Sequence, residues 1–330
     1  MALVNLLDLE VNKVSKKRED YSLLITAPSG YGKTPFLAEL YGDRALFLAF
    51  ENSHKGLAGI HAVTIDSFAT LEFYLAQLEN PKVREKFDVV VIDTLFLLDA
   101  LIEKSITDAY GKDILSDCLK YNKAYKIVDK KFLSVIKRIQ KMNYTMAYVC
   151  HPVEKKVKLP DGTEAVKIEP KVSDRIKDLL IPEIDIRLFC HYDANGAKAI
   201  FTQATPFFDA RCRVGDMEGI LPFTAEALRE EFAKGIERRI TNKDLLVDEA
   251  ESKNVVNGQD RDYKVVVDEL MALGNELGQM GLGAEANAIV SSELGTDDNG
   301  VQRDLRSINE KMLPTLEVII VKLKELKERN

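Results

Sequence analysis

Short, almost wholly apolar runs alternate along the first half of the chain with stretches whose apolar residues recur at helical spacing. The runs are 21–26 (YSLLIT), 45–51 (ALFLAFE), 89–93 (VVVID) and 144–150 (YTMAYVC). Between them lie predicted helices at 33–41, at 67–79 with Phe68, Leu71, Leu75 and Leu78 on one face, and over 121–142. Strands without polar alternation are covered on both faces, so this half predicts an α/β fold with a mainly parallel central sheet. Beyond Cys150 the pattern changes. Segments 153–158 and 164–168, split by Pro160-Asp161-Gly162, read as a hairpin, and 184–192 and 197–202 read as antiparallel additions at the sheet edge.

Residues 241–260 are polar and acidic and predict a linker. The remainder carries two apolar stripes. One is Tyr263, Val266, Leu270, Leu273, Leu277 and Met280; the other is Leu305, Ile308, Met312, Leu316, Ile319, Leu323 and Leu326. Pro314 is expected to kink or break the last helix. The expected organisation is a core domain over 1–240, a linker over 241–260 and a helical region over 261–330, packed as a small bundle.

Composition narrows this little. The 330 residues hold 46 Lys and Arg against 53 Asp and Glu, a net charge of -7. That argues against a uniformly basic coat for duplex DNA but leaves room for a local basic patch. No apolar run approaches the ~20 residues that cross a bilayer. Acids at Asp8 and Glu10 break the basic-then-apolar order of a signal peptide, so no membrane role and a cytoplasmic location are expected. Cys118, Cys150, Cys190 and Cys212 form no C-x-x-C pair and are expected to be free thiols. Cys150-His151 and Cys190-His191 do not make a zinc site, because neighbours on a strand point to opposite faces.

The strongest motif is Ala27-Pro28-Ser29-Gly30-Tyr31-Gly32-Lys33-Thr34, after a strand and opening a helix. That is the context of a phosphate-binding P-loop. Gly30 and Gly32 let backbone N–H groups turn inward, and the helix N-terminus adds partial positive charge. Lys33 can reach the β- and γ-phosphates of ATP, and the Thr34 hydroxyl can ligate Mg²⁺. Pro35 falls in the first helical turn, where its missing N–H costs little. Ala27 stands where the G-x-x-x-x-G-K-[ST] pattern has its first glycine.

A second group of candidates ends the neighbouring strands. Asp93 closes the third run and can hold a Mg²⁺-bound water, or cap the next helix. Thr94 follows it, so a general base must come from elsewhere. Glu51, ending the second run, is the best candidate to activate a water.

A P-loop, a Glu ending the next strand and an Asp-Thr ending the one after resemble the RecA-like ATPase core. Within it, the chain is similar to phage nucleotide-binding proteins that include RecA-like single-strand annealing ATPases. The resemblance covers roughly 21–232. Its later landmarks are His151, at the place of a polar residue facing the γ-phosphate; Glu169-Pro170-Lys171 before a helix; Asp185 in a strand; and Arg211-Cys212-Arg213-Val214-Gly215, similar to the family's K-x-R-x-G segment. The resemblance implies a RecA-like P-loop NTPase fold, ATP hydrolysis, homo-oligomers with sites between subunits, and single-stranded DNA as partner. It implies that Arg211 and Arg213 reach a neighbour's nucleotide, with arginine at both positions changing the donor geometry.

Two segments combine positive charge with aromatics in the manner of single-strand binding. Residues 110–126 hold Tyr110, Lys112, Lys120, Tyr121, Lys123, Tyr125 and Lys126; the hairpin holds Lys155, Lys156, Lys158, Lys167 and Lys171. The expected function is a Mg²⁺-dependent ATPase on single-stranded DNA in phage recombination or replication, with a phage single-strand-binding or replication protein as a further possible partner. Competing readings are a nucleotide-dependent loader with little turnover, a small-molecule kinase and a ring helicase.

Overall fold

Four of the strands that build the centre of the molecule are buried at every position, which is why the chain shows no polar alternation there. The computed structural model describes residues 11–51, 56–158, 162–247, 263–296, 303–305, 308–309 and 312–329. The strands in chain order are β1 (Val14–Ser15), β2 (Leu23–Thr26), β3 (Ala45–Ala49), β4 (His61–Thr64), β5 (Val89–Asp93), β6 (Thr145–Cys150), β7 (Pro152–Lys158), β8 (Glu164–Pro170), β9 (Ile186–Tyr192), β10 (Lys198–Phe201), β11 (Arg211–Cys212), β12 (Ile220–Pro222) and β13 (Leu246–Val247). The main helices of this part are α1 (Lys33–Tyr41), α2 (Phe68–Leu78), α3 (Pro81–Lys86), α4 (Leu95–Tyr110), α5 (Leu115–Cys118), α6 (Lys123–Lys141), α7 (Asp174–Leu179) and α8 (Ala225–Arg239).

The large sheet runs β12-β10-β9-β2-β6-β5-β3-β4, with β11 also on β9. From β9 to β4 every pairing is parallel. β10, β11 and β12 join antiparallel. Side chains alternate between two cores. Leu24, Leu48, Ile92 and Tyr148 face one with α2, α4 and α6. Leu23, Ile25, Phe47, Val91 and Val149 face the other with α1 and α8. This is an α/β core with a mainly parallel central sheet and antiparallel edge strands.

One expectation is corrected. The 184–192 segment is not an antiparallel edge addition: β9 runs parallel to β2 in the sheet interior, with Ile186, Leu188, Phe189 and Cys190 buried. The hairpin and α7 provide the crossover a parallel connection needs. The hairpin itself forms as β7 and β8, in register from Pro152↔Pro170 to Lys158↔Glu164. Its turn residues 159–161 lie outside the described residues.

The chain divides into two compact units, Asn12–Asn257 on one hand and Met1–Val11 with Gly258–Asn330 on the other. The polar stretch 241–260 is ordered at its start, where β13 pairs parallel with β1. Residues 248–260 lie outside the described residues. The second unit holds α9 (Tyr263–Gln279), α10 (Gly283–Leu294) and α11 (Leu313–Glu328). Val266, Leu270, Leu273 and Leu277 of α9 meet Leu316, Ile319, Ile320 and Leu323 of α11. Lys322–Glu293 (2.6 Å) and Lys324–Glu269 (2.7 Å) bind the helices' outer edges. Pro314 does not kink this helix; it sits in the first turn, where a fixed φ favours helix initiation.

Candidate active site

The loop between β2 and α1 is shaped by its glycines. Gly30 has φ +72° and Gly32 φ +106°, values an L side chain rarely adopts. Ala27 needs no such freedom. It is fully buried and extends the β2–β6 ladder, donating its N–H to the Cys150 carbonyl at 3.3 Å. Phe36 N–H donates to the Gly32 carbonyl at 3.0 Å, so α1 starts directly at the loop. Pro35, in the first turn, is exposed.

Lys33 lies under the loop. Its Nζ donates to the carbonyls of Ala27 (2.9 Å) and Pro28 (3.0 Å) and sits 3.3 Å from His151 Nδ1. Burial lowers the pKa of the ammonium, while the carboxylates of Asp93 and Glu51 act to raise it. Burial and then the Lys33 charge lower the pKa of His151. Since an ammonium has only donors, Nδ1 is the acceptor in the Lys33–His151 contact.

Thr34 Oγ1 donates to Asp93 Oδ2 at 2.8 Å, both side chains being buried. Asp93 ends β5, which β6 separates from β2; the intervening strand delivers His151 between the P-loop and Asp93. The Asp93–Thr94 peptide is cis, and the N-cap of α4 is Thr94 rather than Asp93. Phe50 N–H donates to the Asp93 carbonyl at 2.7 Å, which carries the β3–β5 ladder to its end. Glu51 emerges there, half-buried, and its charge acts on both Lys33 and His151. Lys33, Thr34, Glu51, Asp93 and His151 thus come together at one end of the sheet.

Arg211 and Arg213 do not join them. β11 pairs with the start of β9, placing Arg211 opposite Arg187. Arg213 N–H donates to the Asp185 carbonyl (2.9 Å), and its guanidinium donates to the Pro182 carbonyl. Asp185 in turn accepts from Ser22 Oγ at 2.7 Å, before β2 begins, whereas the P-loop follows β2. The two arginines stand at the other end of the sheet, roughly 13 Å away along the length of β2. Arg213 lines an open cleft of about 680 Å³ there with Asp20, Tyr21 and Asp185.

Among the lysines of the two basic segments, Lys155 (3.7 Å) and Lys167 (3.1 Å) pair with Glu169, as does Lys177 of α7 at 2.6 Å. Lys171 lies over the Phe96 ring, 4.8 Å from its centroid. Lys156 and Lys158 are exposed, as are Tyr110, Tyr121 and Tyr125. The thiols of Cys150 and Cys190 are buried and their pKa values raised by burial, Cys150 to about 12.

Sequence reasoning missed the aromatic wall beside the loop. Tyr31 is buried against Phe223 (centroids 4.8 Å apart) and Tyr192 (5.5 Å), and Phe223 stacks on Phe36 at 4.7 Å. Lys198 of β10 donates to the Tyr31 carbonyl at 2.7 Å. No local motif announces Tyr192, Lys198 and Phe223; they arrive from segments more than a hundred positions away.

An oxygen pair such as Thr34 and Asp93 suits Mg²⁺, which takes few protein ligands and keeps phosphate oxygens and waters for the rest. Residues 19–214 match the family described as AAA domain. The chain is also similar to the SPbeta prophage-derived uncharacterized protein YorG of Bacillus subtilis (strain 168), with 23% identity over 335 residues covering 98% of each chain. No helix among the described residues is long and apolar enough to cross a membrane.

Proposed function

The chain belongs to the AAA domain family, and we propose that it is a Mg²⁺-dependent ATPase acting on single-stranded DNA in phage recombination or replication. The observation that carries the nucleotide reading is the convergence of Lys33, the Thr34–Asp93 bond, Glu51 and His151 on one loop. Lys33 binds the β- and γ-phosphates and gives up its carbonyl contacts for them. Thr34 and Asp93 would hold Mg²⁺, which neutralises charge on the phosphate oxygens. Glu51 orients a water for in-line attack and takes its proton. His151 donates or accepts at the γ-phosphate side of Lys33.

The finer parts rest on other features. The prophage origin in YorG's printed name favours a phage setting. The location of Arg211 and Arg213, far from their own P-loop, favours action on a second subunit's nucleotide in a homo-oligomer. The lysine-bearing hairpin rooted at His151 and the exposed Tyr121 and Tyr125 favour a single-strand track. A nucleotide-dependent loader with little turnover shares all these features. Hydrolysis measured with and without single-stranded DNA separates the two. The wild type should turn over faster with DNA. Lys33→Ala should lose binding or turnover, and Glu51→Gln should bind ATP but turn over slowly. Negligible turnover in both conditions would favour the loader, and wild-type hydrolysis by Glu51→Gln would remove that residue from the mechanism.

A further inference from the structure

We propose that Lys198 is a positioning residue of the phosphate site, locking the Tyr31–Gly32 peptide so that the Gly32 N–H faces the nucleotide; the proposal rests on the nucleotide reading above. Tyr31 is held at both ends. Its carbonyl accepts from Lys198 Nζ at 2.7 Å. Its hydroxyl donates to the His191 carbonyl at 2.7 Å and accepts from Ala199 N–H at 2.9 Å. The Lys198 ammonium also lies 5.0 Å from the centre of the Tyr31 ring. The β9–β10 hairpin therefore grips the one residue between the two glycines of the loop.

Peptide geometry gives the grip its consequence. In a planar trans peptide the C=O and the following N–H point in opposite directions. Lys198 draws the Tyr31 C=O toward β10. The Gly32 N–H must then point away from that edge, toward the side where β6 brings His151 against Lys33. A loop of inward N–H groups is what binds a phosphate anion. Gly32, at φ +106°, would otherwise be free to rotate this peptide, since glycine populates both signs of φ. Phe223 backs the same point, 3.7 Å from where a Gly32 Cβ would lie, and its own N–H donates to the Lys198 carbonyl at 3.2 Å.

The test is calorimetric titration of Mg-ATP into the full chain and its Lys198→Met, Lys198→Arg, Tyr31→Phe and Lys198→Met/Tyr31→Phe variants, with the melting temperature of each free protein measured alongside. Lys198→Met should weaken ATP binding about tenfold, the scale of one oriented hydrogen bond, while the free protein still folds and melts no more than a few degrees lower. Lys198→Arg should restore most of the affinity, because a guanidinium can still donate to the carbonyl. Tyr31→Phe should weaken binding too, and the double variant should be little worse than the worse single one, because both act through one peptide. Wild-type affinity in Lys198→Met overturns the proposal while leaving the nucleotide reading intact. Losses that multiply in the double variant also overturn it, since Lys198 would then meet the phosphates independently of Tyr31. A wild-type chain that binds no ATP overturns the nucleotide reading and this proposal with it.

Discussion

Replacing Thr34 with valine keeps the side chain's outline and removes one hydroxyl. In the folded protein that hydroxyl donates to Asp93 at 2.8 Å, and Asp93 is only 1% exposed. Water cannot take over the bond in so buried a place. A hydrogen bond to a charged group contributes about 1.5–3 kcal/mol, and the added methyl recovers little of it. For a unit the size of Asn12–Asn257, each 1 kcal/mol moves the melting temperature by about 2–4 °C. Thr34→Val should therefore melt about 3–12 °C lower, while Thr34→Ser should stay near wild type. The chain has 11 Tyr and no Trp, so tyrosine fluorescence during heating reports the transition. On the proposed reading ATP turnover should also collapse in the valine variant, because the same oxygen would hold Mg²⁺. A Thr34→Val protein that melts with the wild type would show that the bond does not hold the site together, and the argument from its geometry would fall.

Two further outcomes test other parts. His151 has a lowered pKa in the fold, so as pH drops below the ordinary 6.5 the unfolded chain takes up a proton before the folded one does, and stability falls toward acid. His151→Gln should flatten that slope in melts between about pH 7.5 and about pH 5.5, and an unchanged slope would show that the acid sensitivity lies elsewhere. A Cβ on Gly215 would lie 2.8 Å from the Ile236 nitrogen and 2.9 Å from the Gly235 carbonyl carbon, both backbone atoms of α8. Gly215→Ala should cost about 1–3 kcal/mol, read as a lowered denaturant midpoint with an unchanged slope; an unshifted midpoint would mean that α8 yields freely.

Local signals explain what the chain discloses. The mostly apolar runs of β2, β3, β5 and β6, the glycines around Tyr31, Glu51 two residues past β3 and Asp93 at the end of β5 are each local in sequence, so the P-loop core and its main residues can be read directly. Other features depend on distant partners. β4 is a four-residue, half-exposed edge strand, too short and too polar at His61 and Thr64 to announce itself. α4 carries Leu95, Leu98, Ile102 and Ile106 at helical spacing, but the apolar residues crowded after Asp93 blur its start. β9 reads as an edge strand because the lysine-rich hairpin interrupts the usual strand–helix alternation before it. Lys198 and Phe223 look like ordinary residues until β10 and β12 fold beside the loop. Conversely, Arg211 and Arg213 carry a recognisable pattern, yet one chain alone keeps them far from its own phosphate site.

The hairpin at the end of β6 is an arm rooted beside the Lys33–His151 pair. Its strands are 7 residues each, about 23 Å from root to tip. At the root, the His151 carbonyl accepts from Lys171 N–H at 2.7 Å, and the His151 ring meets Lys33 at 3.3 Å. Ile168 N–H of the same arm also donates to the Phe207 carbonyl at 2.6 Å, so any displacement of the arm is shared between that contact and the imidazole–ammonium pair at its root.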